Sequence, residues 1–541
     1  MSSENKREVR RRAPMVFPVI GYLLGIVTIH VLNKCGVLPS FIFMRLNTIL
    51  LILVSLCVGL FLWLYLLPRY TSLRFSTAHY LCGIAALFCT GAWSYSLQNN
   101  LTALPQNSEP TAFYGQVERV TRTRSERFMR VNTRLLAFRQ KEKEYPCNRK
   151  SFLYIPIHRY DANIQVGSKI WTVSKIQSLT QDSSYQSSSS MPPSIFIAQT
   201  DPLGFTHSQP SFPKLLSQKL LAHLKANISD SNAFALLAGL SLGNKEAFDP
   251  ELRSAYTTSG AAHILAVSGL HVGIIYAIIL FLCNLLLPGN HRRQQVIKQI
   301  LIVSAITLFA ALAGFTPSVT RALLMVALSA FGKLIRRPVH SFQTLFTTAF
   351  IICVINPAAL FEVGFQLSFS AVFAILFVLP YLEPLLKPKT KFGKYVWSMI
   401  CVSTSAQIGT AWLAYHYFGV FPYLSLVTNL FVIPLTGVLL YVLCLWLMLG
   451  FVPVIGPLLL WSMEQTARMM NIGVVWMEKI SASPVAIPIF VTFGAAFLFL
   501  LLTNYGRFFW HNFKNKLLHR AFLWDRLSFA PWNQARRHGY G

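Results

Sequence analysis

Apolar runs of membrane-spanning length recur along this chain, and they constrain its fold more than any other feature. A run of about 17–25 apolar residues supplies the helix needed to cross a bilayer core. Such runs occupy 16–32, 48–67 and 79–97. They resume at 263–287, 299–315, 317–334, 342–356, 361–382, 396–416, 421–449, 456–479 and 485–504. In hydrocarbon every backbone N–H and C=O must be satisfied within the protein, so such runs are read as helices. The composition agrees: 54% of the 541 residues are hydrophobic, 12% are charged, and the mean hydropathy is +0.48. The expected fold class is an all-α polytopic membrane protein of about 12 spans.

Charge sets the expected orientation. Lys and Arg number 48 against 19 Asp and Glu, a net charge of +29. Basic clusters stand at Arg10-Arg11-Arg12, Arg69 and Arg74, Arg292-Arg293 and Lys298, Lys333 to Arg337, and Lys387 to Lys394. The tail 506–541 adds seven basic residues and one Asp. If the chain starts inside, all of these fall on the cytoplasmic side, as the positive-inside rule requires. Both termini are then cytoplasmic, in a multi-pass membrane protein. The first span reads as a signal anchor with no convincing cleavage site. A polyanionic substrate is a second source for the charge.

Between the third and fourth apolar runs the pattern changes. Short β-like runs follow one another at Phe113–Val120, Phe128–Phe138, Phe152–Ile157, Lys169–Ile176 and Ile195–Gln199. Five short strands predict an inserted exterior β-barrel of OB type. Arg119, Arg122, Arg124, Arg127, Arg130 and Arg134 cluster between and along the first two strands. They read either as a DNA-binding surface or as a solvated face. The expected organisation is a basic cytoplasmic arm 1–15, three helices in 16–97, an OB-like domain 98–210, amphipathic interfacial helices 211–250, a transmembrane channel domain 251–505 and a basic tail 506–541. In the interfacial stretch Leu215, Leu216, Leu220, Leu221 and Leu224 share one side, flanked by Lys214, Lys219 and Lys225. Cys35 and Cys147 are the two cysteines expected outside the spans, and nothing in the sequence argues that they pair.

The membrane half carries polar residues where lipid would reject them. Residues 257–276 hold His263, Ser268 and His271 among glycines 260, 269 and 273. On one regular helix the two histidines would lie roughly 80° apart. Arg321 stands one turn inside a span, where a central Arg costs about 2.5–3.5 kcal/mol on insertion scales. It therefore needs an anion or a partner, and Glu362 is the nearest in type. Asn356-Pro357 leads into Gly364-Phe365-Gln366-Leu367-Ser368-Phe369, Asn429 stands in the later span 421–449, and Pro434 and Gly437 interrupt that span, which reads as a broken helix or two half-spans. Glu464 and Arg468, four apart, are expected to form a structural ion pair. The residues singled out as a substrate pathway are His263, Ser268, Gly269, His271, Arg321, Gln366 and Ser368.

With these motifs in order, Ala262-His263-Ile264-Leu265-Ala266-Val267-Ser268-Gly269-Leu270-His271-Val272 foremost, the chain resembles the ComEC-type competence proteins, the inner-membrane DNA-uptake channel family. The resemblance runs from about residue 20 to 505. It implies a channel for single-stranded DNA in natural transformation, not an enzyme, and contact with membrane lipids. It also implies a DNA-delivery protein outside and a helicase or strand-binding protein inside, and leaves an oligomer open. Many members also end in a metallo-β-lactamase-like domain, which a His-x-His-x-Asp-His run would mark. This sequence has no such run and stops at Gly541, so a separate nuclease is expected. No Walker motif, cofactor or metal site is expected; Glu362 and His416 are metal-ligand candidates by type alone. Two rivals remain: a transporter of another anion such as a lipid or sugar phosphate, and a membrane-embedded hydrolase built on His263, Ser268 and His271.

Overall fold

The computed structural model describes residues 16–34, 48–57, 73–101, 111–122, 127–140, 143–160, 164, 167–174, 176–177, 194–196, 202–206 and 212–481, the last stretch without 245–246, 266, 290, 338, 387, 420 and 422–423. It divides into two compact units. One draws on 1–28, 50–92 and 217–541, and the other on 29–49 and 93–216.

The smaller unit is built around a seven-stranded sheet. Its strands are β1 (Thr111–Arg122), β2 (Phe128–Gln140), β3 (Lys143–Pro156), β4 (Lys169–Ser174), β5 (Ile176–Gln177), β6 (Ser194–Phe196) and β7 (Leu203–Thr206). Their order is β5-β6-β3-β2-β1-β4-β7. All neighbours run antiparallel except β3 and β6. Side chains alternate in period two, as a one-sided core demands. Phe113, Val117, Val131, Leu135, Leu153, Ile155 and Ile170 are buried together on one face. Irregularities at Tyr114/Gly115, Val117/Arg119 and Leu135/Ala137 bend the long strands. The expected small barrel of OB type is found in part: among the described residues it is a curled, mostly antiparallel half-barrel of seven strands, with β5 and β7 at its edges. β3 also begins at Lys143, well before the expected Phe152. Pro146 and the neighbouring charges disguise its first half. There β3 pairs only with β2, so a residue without an N–H is tolerated.

The larger unit is helical. Its helices are α1 (Val16–Lys34, whose last turn belongs to the sheet unit), α2 (Thr48–Cys57), α3 (Leu73–Leu101, which belongs to the sheet unit from 93 on), α4 (Phe212–Asn227, which belongs to the larger unit from 217 on), α5 (Ser231–Leu242) and α6 (Pro250–Thr258). There follow α7 (Gly269–Leu286), α8 (Arg292–Leu312), α9 (Pro317–Leu334), α10 (Ser341–Ile355), α11 (Val363–Leu382), α12 (Lys391–Phe418), α13 (Ser425–Leu449) and α14 (Ile455–Ser481). Of the predicted spans, 485–504 and the second half of 48–67 lie outside the described residues. Among the described residues four helices are long and apolar enough to cross a membrane: Gly269–Leu286, Arg292–Leu312, Val363–Leu385 and Ser425–Leu449. Their outer faces leave large apolar side chains such as Phe281, Leu285 and Ile300 exposed, the surface that lipid covers.

Two apolar clusters organise this unit. One packs Leu236, Leu237 and Leu240 of α5 and Tyr256 of α6 against Leu439 and Leu440 of α13 and Met463 and Met470 of α14. The other joins Val272 and Cys283 of α7, Ile302 and Ile306 of α8 and Val319 of α9. Helix α5 is short because both ends are specified. Asp230 accepts from the Asn232 N–H at 3.0 Å, and Gly243 stops the helix in the left-handed region at φ 69°. It is buried almost throughout, so it lies in the core of the unit. The expected break in 421–449 is also corrected. Helix α13 runs through Pro434, and Thr436 next to it returns its hydroxyl to the Val432 carbonyl at 2.8 Å. Helix packing absorbs such interior prolines.

Candidate functional site: a cationic cavity along α9

The segment expected to open one long span is instead a helix, a turn and a second helix. Helix α6 ends at Ser259, Gly260 takes φ 83°, and Ala262–Ile264 form a short 3-10 turn. Ser268 then starts α7. His263 and His271 therefore do not share a helix, and the 80° relation does not apply. The irregular stretch is held by protein: Thr428 donates its hydroxyl to the Ser259 carbonyl at 2.8 Å. At the start of α7 the Ser268 N–H donates to His271 Nδ1 at 3.1 Å, and the Ser268 hydroxyl lies 2.7 Å from the same nitrogen. His271 takes the place that Glu or Gln holds in a capping box. Because Nδ1 accepts from a backbone N–H, the neutral ring carries its proton on Nε2. His271 is fully buried, and Nε2 has no hydrogen-bond partner among the described residues.

A cavity of about 720 Å³ lies between α7, α8, α9, α10 and α11. Gly269, Gly273 and Tyr276 form its α7 wall, at the i, i+4, i+7 spacing that one helix face presents. Arg321, Met325, Ser329 and Lys333 repeat every fourth residue along α9, and Arg337 follows. From Arg321 to Lys333 is about 18 Å at 1.5 Å per residue. Three cations and no carboxylate stand among its described lining residues.

Arg321 is only 6% exposed. Its Nη1 donates to the Ser368 carbonyl at 2.9 Å, and its guanidinium lies over the Phe369 ring at 5.8 Å. Nε has no hydrogen-bond partner among the described residues. The expected pairing with Glu362 is not what holds it; Glu362 stands at the N-cap of α11, where its carbonyl accepts from the Gln366 N–H. A buried cation without a carboxylate is costly and attracts an anion. It sits near the starts of α7 and α9, whose unpaired N–H groups add positive potential. At the other end Lys333 Nζ donates to the Tyr276 hydroxyl at 3.3 Å. Nearby in sequence to the lining residue Gln299, Lys298 is 4% exposed and donates to Asn284 Oδ1 at 2.9 Å.

Of the expected pathway residues, Gly269 and Arg321 line the cavity, and Ser368 anchors Arg321 through its carbonyl. His263 is on the surface. Ser268 and His271 form the cap behind the Gly269 wall. Gln366 is engaged elsewhere, accepting from the Tyr417 hydroxyl at 2.7 Å and donating to the Leu360 carbonyl at 3.1 Å. Tyr276, Lys333 and Arg337 were missed as site residues. The signal for the two cations was their four-residue spacing from Arg321, which the loop-charge reading concealed; nothing in the sequence singled out Tyr276. No group of three or more His, Cys, Asp or Glu gathers among the described residues.

The expected ion pair forms: Arg468 Nη2 lies 2.7 Å from Glu464 Oε1. Arg468 Nε is also 3.5 Å from Asp230 Oδ2, and the Asp230 N–H donates to Glu464 at 3.1 Å. This cluster ties the cap of α5 to α14 and lies outside the cavity lining. In the sheet unit Arg127 is exposed, Arg130 lies over the Phe152 ring at 5.1 Å, and Arg134 pairs with Glu118 at 2.8 Å. Arg119 and Arg122 belong to β1, and Arg124 lies outside the described residues, as does Cys35. Cys147 is buried in the sheet core.

The Competence protein family matches residues 240–511, the stretch that holds the cavity. ComE operon protein 3 of Bacillus subtilis (strain 168) is 30% identical over 230 residues, covering 41% of this chain and 28% of that protein. The chain thus spans well under two thirds of that relative's length. No solved structure matches. The chain belongs to the competence protein family, as a membrane protein whose family-matching half encloses a cationic cavity.

Proposed function

We propose that this protein is a channel that passes single-stranded DNA across the cytoplasmic membrane during natural transformation. The observation that carries the reading is the cavity: Arg321, Lys333 and Arg337 spaced along it with no acidic side chain among its described lining residues. A polyphosphate strand is the ligand such a cationic path suits. At the stacked rise of about 3.4 Å per nucleotide, the Arg321 to Lys333 distance matches about five phosphates. Membership of the competence family supports the same substrate. In this reading both termini are cytoplasmic in a bundle of about 12 spans, and the sheet unit meets DNA outside. DNA delivery, a cytoplasmic motor or strand-binding protein, and degradation of the other strand fall to separate partners.

A second reading, a transporter of a smaller anion, draws on the cavity's volume, which lies in the range of small-ligand sites. One experiment separates them. Transformation with marked linear DNA is compared in wild type, a deletion strain and a normally expressed Lys333→Ala variant, with electroporation of the same DNA as control. Loss of transformation in both mutants with electroporation intact is the expected result. Full transformation in the deletion strain would sink the DNA reading and leave the small-anion transporter.

A further inference from the structure

The core-facing residues of the sheet leave the opposite face of β1, β4 and β7 without cover among the described residues, and one row on it is aromatic. Tyr114 on β1 is paired with Ala137 on β2 and with Trp171 on β4, and Trp171 is paired with Gly204 on β7. Tyr114 is 36% exposed and Trp171 50% exposed, a large apolar surface to leave in water. The Trp171 indole is laid flat across its neighbour. A Cβ at Gly204 would overlap its Cε2 and Nε1 atoms, so the ring occupies the space that any other residue at 204 would fill. Small partners, Ala137 and Gly204, flank the two aromatic residues in the row.

The next row along the same strands is cationic. Arg134, Gln116, Lys169 and Thr206 are consecutive partners across β2, β1, β4 and β7. Lys169 is exposed, and Arg134 is 48% exposed while paired with Glu118. The two rows stand two residues apart on β1, β4 and β7, about 7 Å, and three apart on β2, where the register shifts. We propose that Tyr114 and Trp171 form a base-stacking platform for single-stranded nucleic acid, with the phosphodiester of the stacked nucleotide meeting Lys169. An aromatic ring can stack on any base, so the site reads strandedness rather than sequence; a duplex keeps its base faces stacked on one another. The proposal deepens the DNA-channel reading, on which it rests, by naming where the strand is held on the sheet unit. It relies on residues other than the arginine cluster, of which only Arg134 borders it.

The test uses the full chain in nanodiscs of zwitterionic lipid, with fluorescent oligo(dT) and an abasic strand of equal length. Trp171→Ala is expected to weaken oligo(dT) binding about 5- to 150-fold and to leave abasic binding unchanged. Trp171→Phe keeps most of the affinity. Gly204→Val, a residue suited to a strand, displaces the indole and reproduces Trp171→Ala. Lys169→Ala weakens both strands and lowers the salt slope by about 0.7. Equal wild-type binding of the two strands, or Trp171→Ala binding like wild type, overturns the platform. If that happens while deletion still abolishes transformation, the channel reading survives without it. If the full chain binds neither strand and deletion leaves transformation intact, both fall.

Discussion

Gly269 and Arg321 share one space: a Cβ built at 269 would stand 3.0 Å from Arg321 Nη2, the one heavy atom within 4 Å of it. The first residue of α7 thus lacks a side chain where the buried guanidinium of α9 comes closest. Gly269→Ala is expected to shift the guanidinium by a few tenths of an ångström and lower transformation while the protein still accumulates. Gly269→Val adds two methyl groups to the same place and should also destabilise by about 1–3 kcal/mol. Transformation frequency together with thermal unfolding in detergent reads both effects. Wild-type uptake in Gly269→Val would show that the contact is incidental.

Arg321→Met separates charge from packing. Methionine keeps much of the length and loses the cation. Because Arg321 is held by a carbonyl and an aromatic ring rather than by a carboxylate, its removal strands no buried anion. The thermal midpoint is therefore expected to stay level or rise, while uptake falls at least tenfold. A variant that unfolds more readily and transports normally for its abundance would make Arg321 a structural residue.

The contrast between Arg321 and Lys333 explains what the sequence disclosed. Arg321 could be found because a cation inside an apolar run is anomalous under any membrane reading. Lys333 and Arg337 stood at the end of such a run, where the positive-inside rule already accounts for them, so their place with Arg321 along one cavity went unread. The turn at Gly260 was hidden for a related reason: residues 259–269 are apolar enough to pass as helix, and only tertiary bonds such as Thr428 to the Ser259 carbonyl stabilise the break. In the sheet, the sequence pattern located five of the strands, but the short pairings of β5 and β7 depend on distant partners. The Trp171 platform needed the register with Gly204, which no local pattern contains.

Thr133 and Ser151 meet across β2 and β3 with their hydroxyl oxygens 2.8 Å apart, both buried in the sheet core. Thr133→Val preserves shape and leaves the Ser151 hydroxyl without that contact. A cost of about 1–3 kcal/mol is expected. The double change Thr133→Val with Ser151→Ala removes both polar groups and should recover part of it. Hydrogen exchange of the β2 and β3 amides measures the local effect; unchanged protection in Thr133→Val would mean that the pair does not stabilise the sheet.

Arg468 offers the converse of Arg321. Its guanidinium is partly exposed, whereas Glu464 beneath it keeps only 9% of its side chain accessible. Removing the arginine leaves the Glu464 carboxylate with the Asp230 N–H and no cation in contact. A fully buried pair broken this way costs about 3–5 kcal/mol. Exposure of Arg468 discounts that to about 1–3 kcal/mol. Arg468→Ala is thus expected to lower the thermal midpoint, and Glu464→Gln added to it should restore part of the loss by removing the stranded charge. Neither residue lines the cavity, so transformation per folded molecule should remain at the wild-type level in both variants. Loss of uptake at full protein abundance would place the Asp230, Glu464 and Arg468 cluster on the transport path after all.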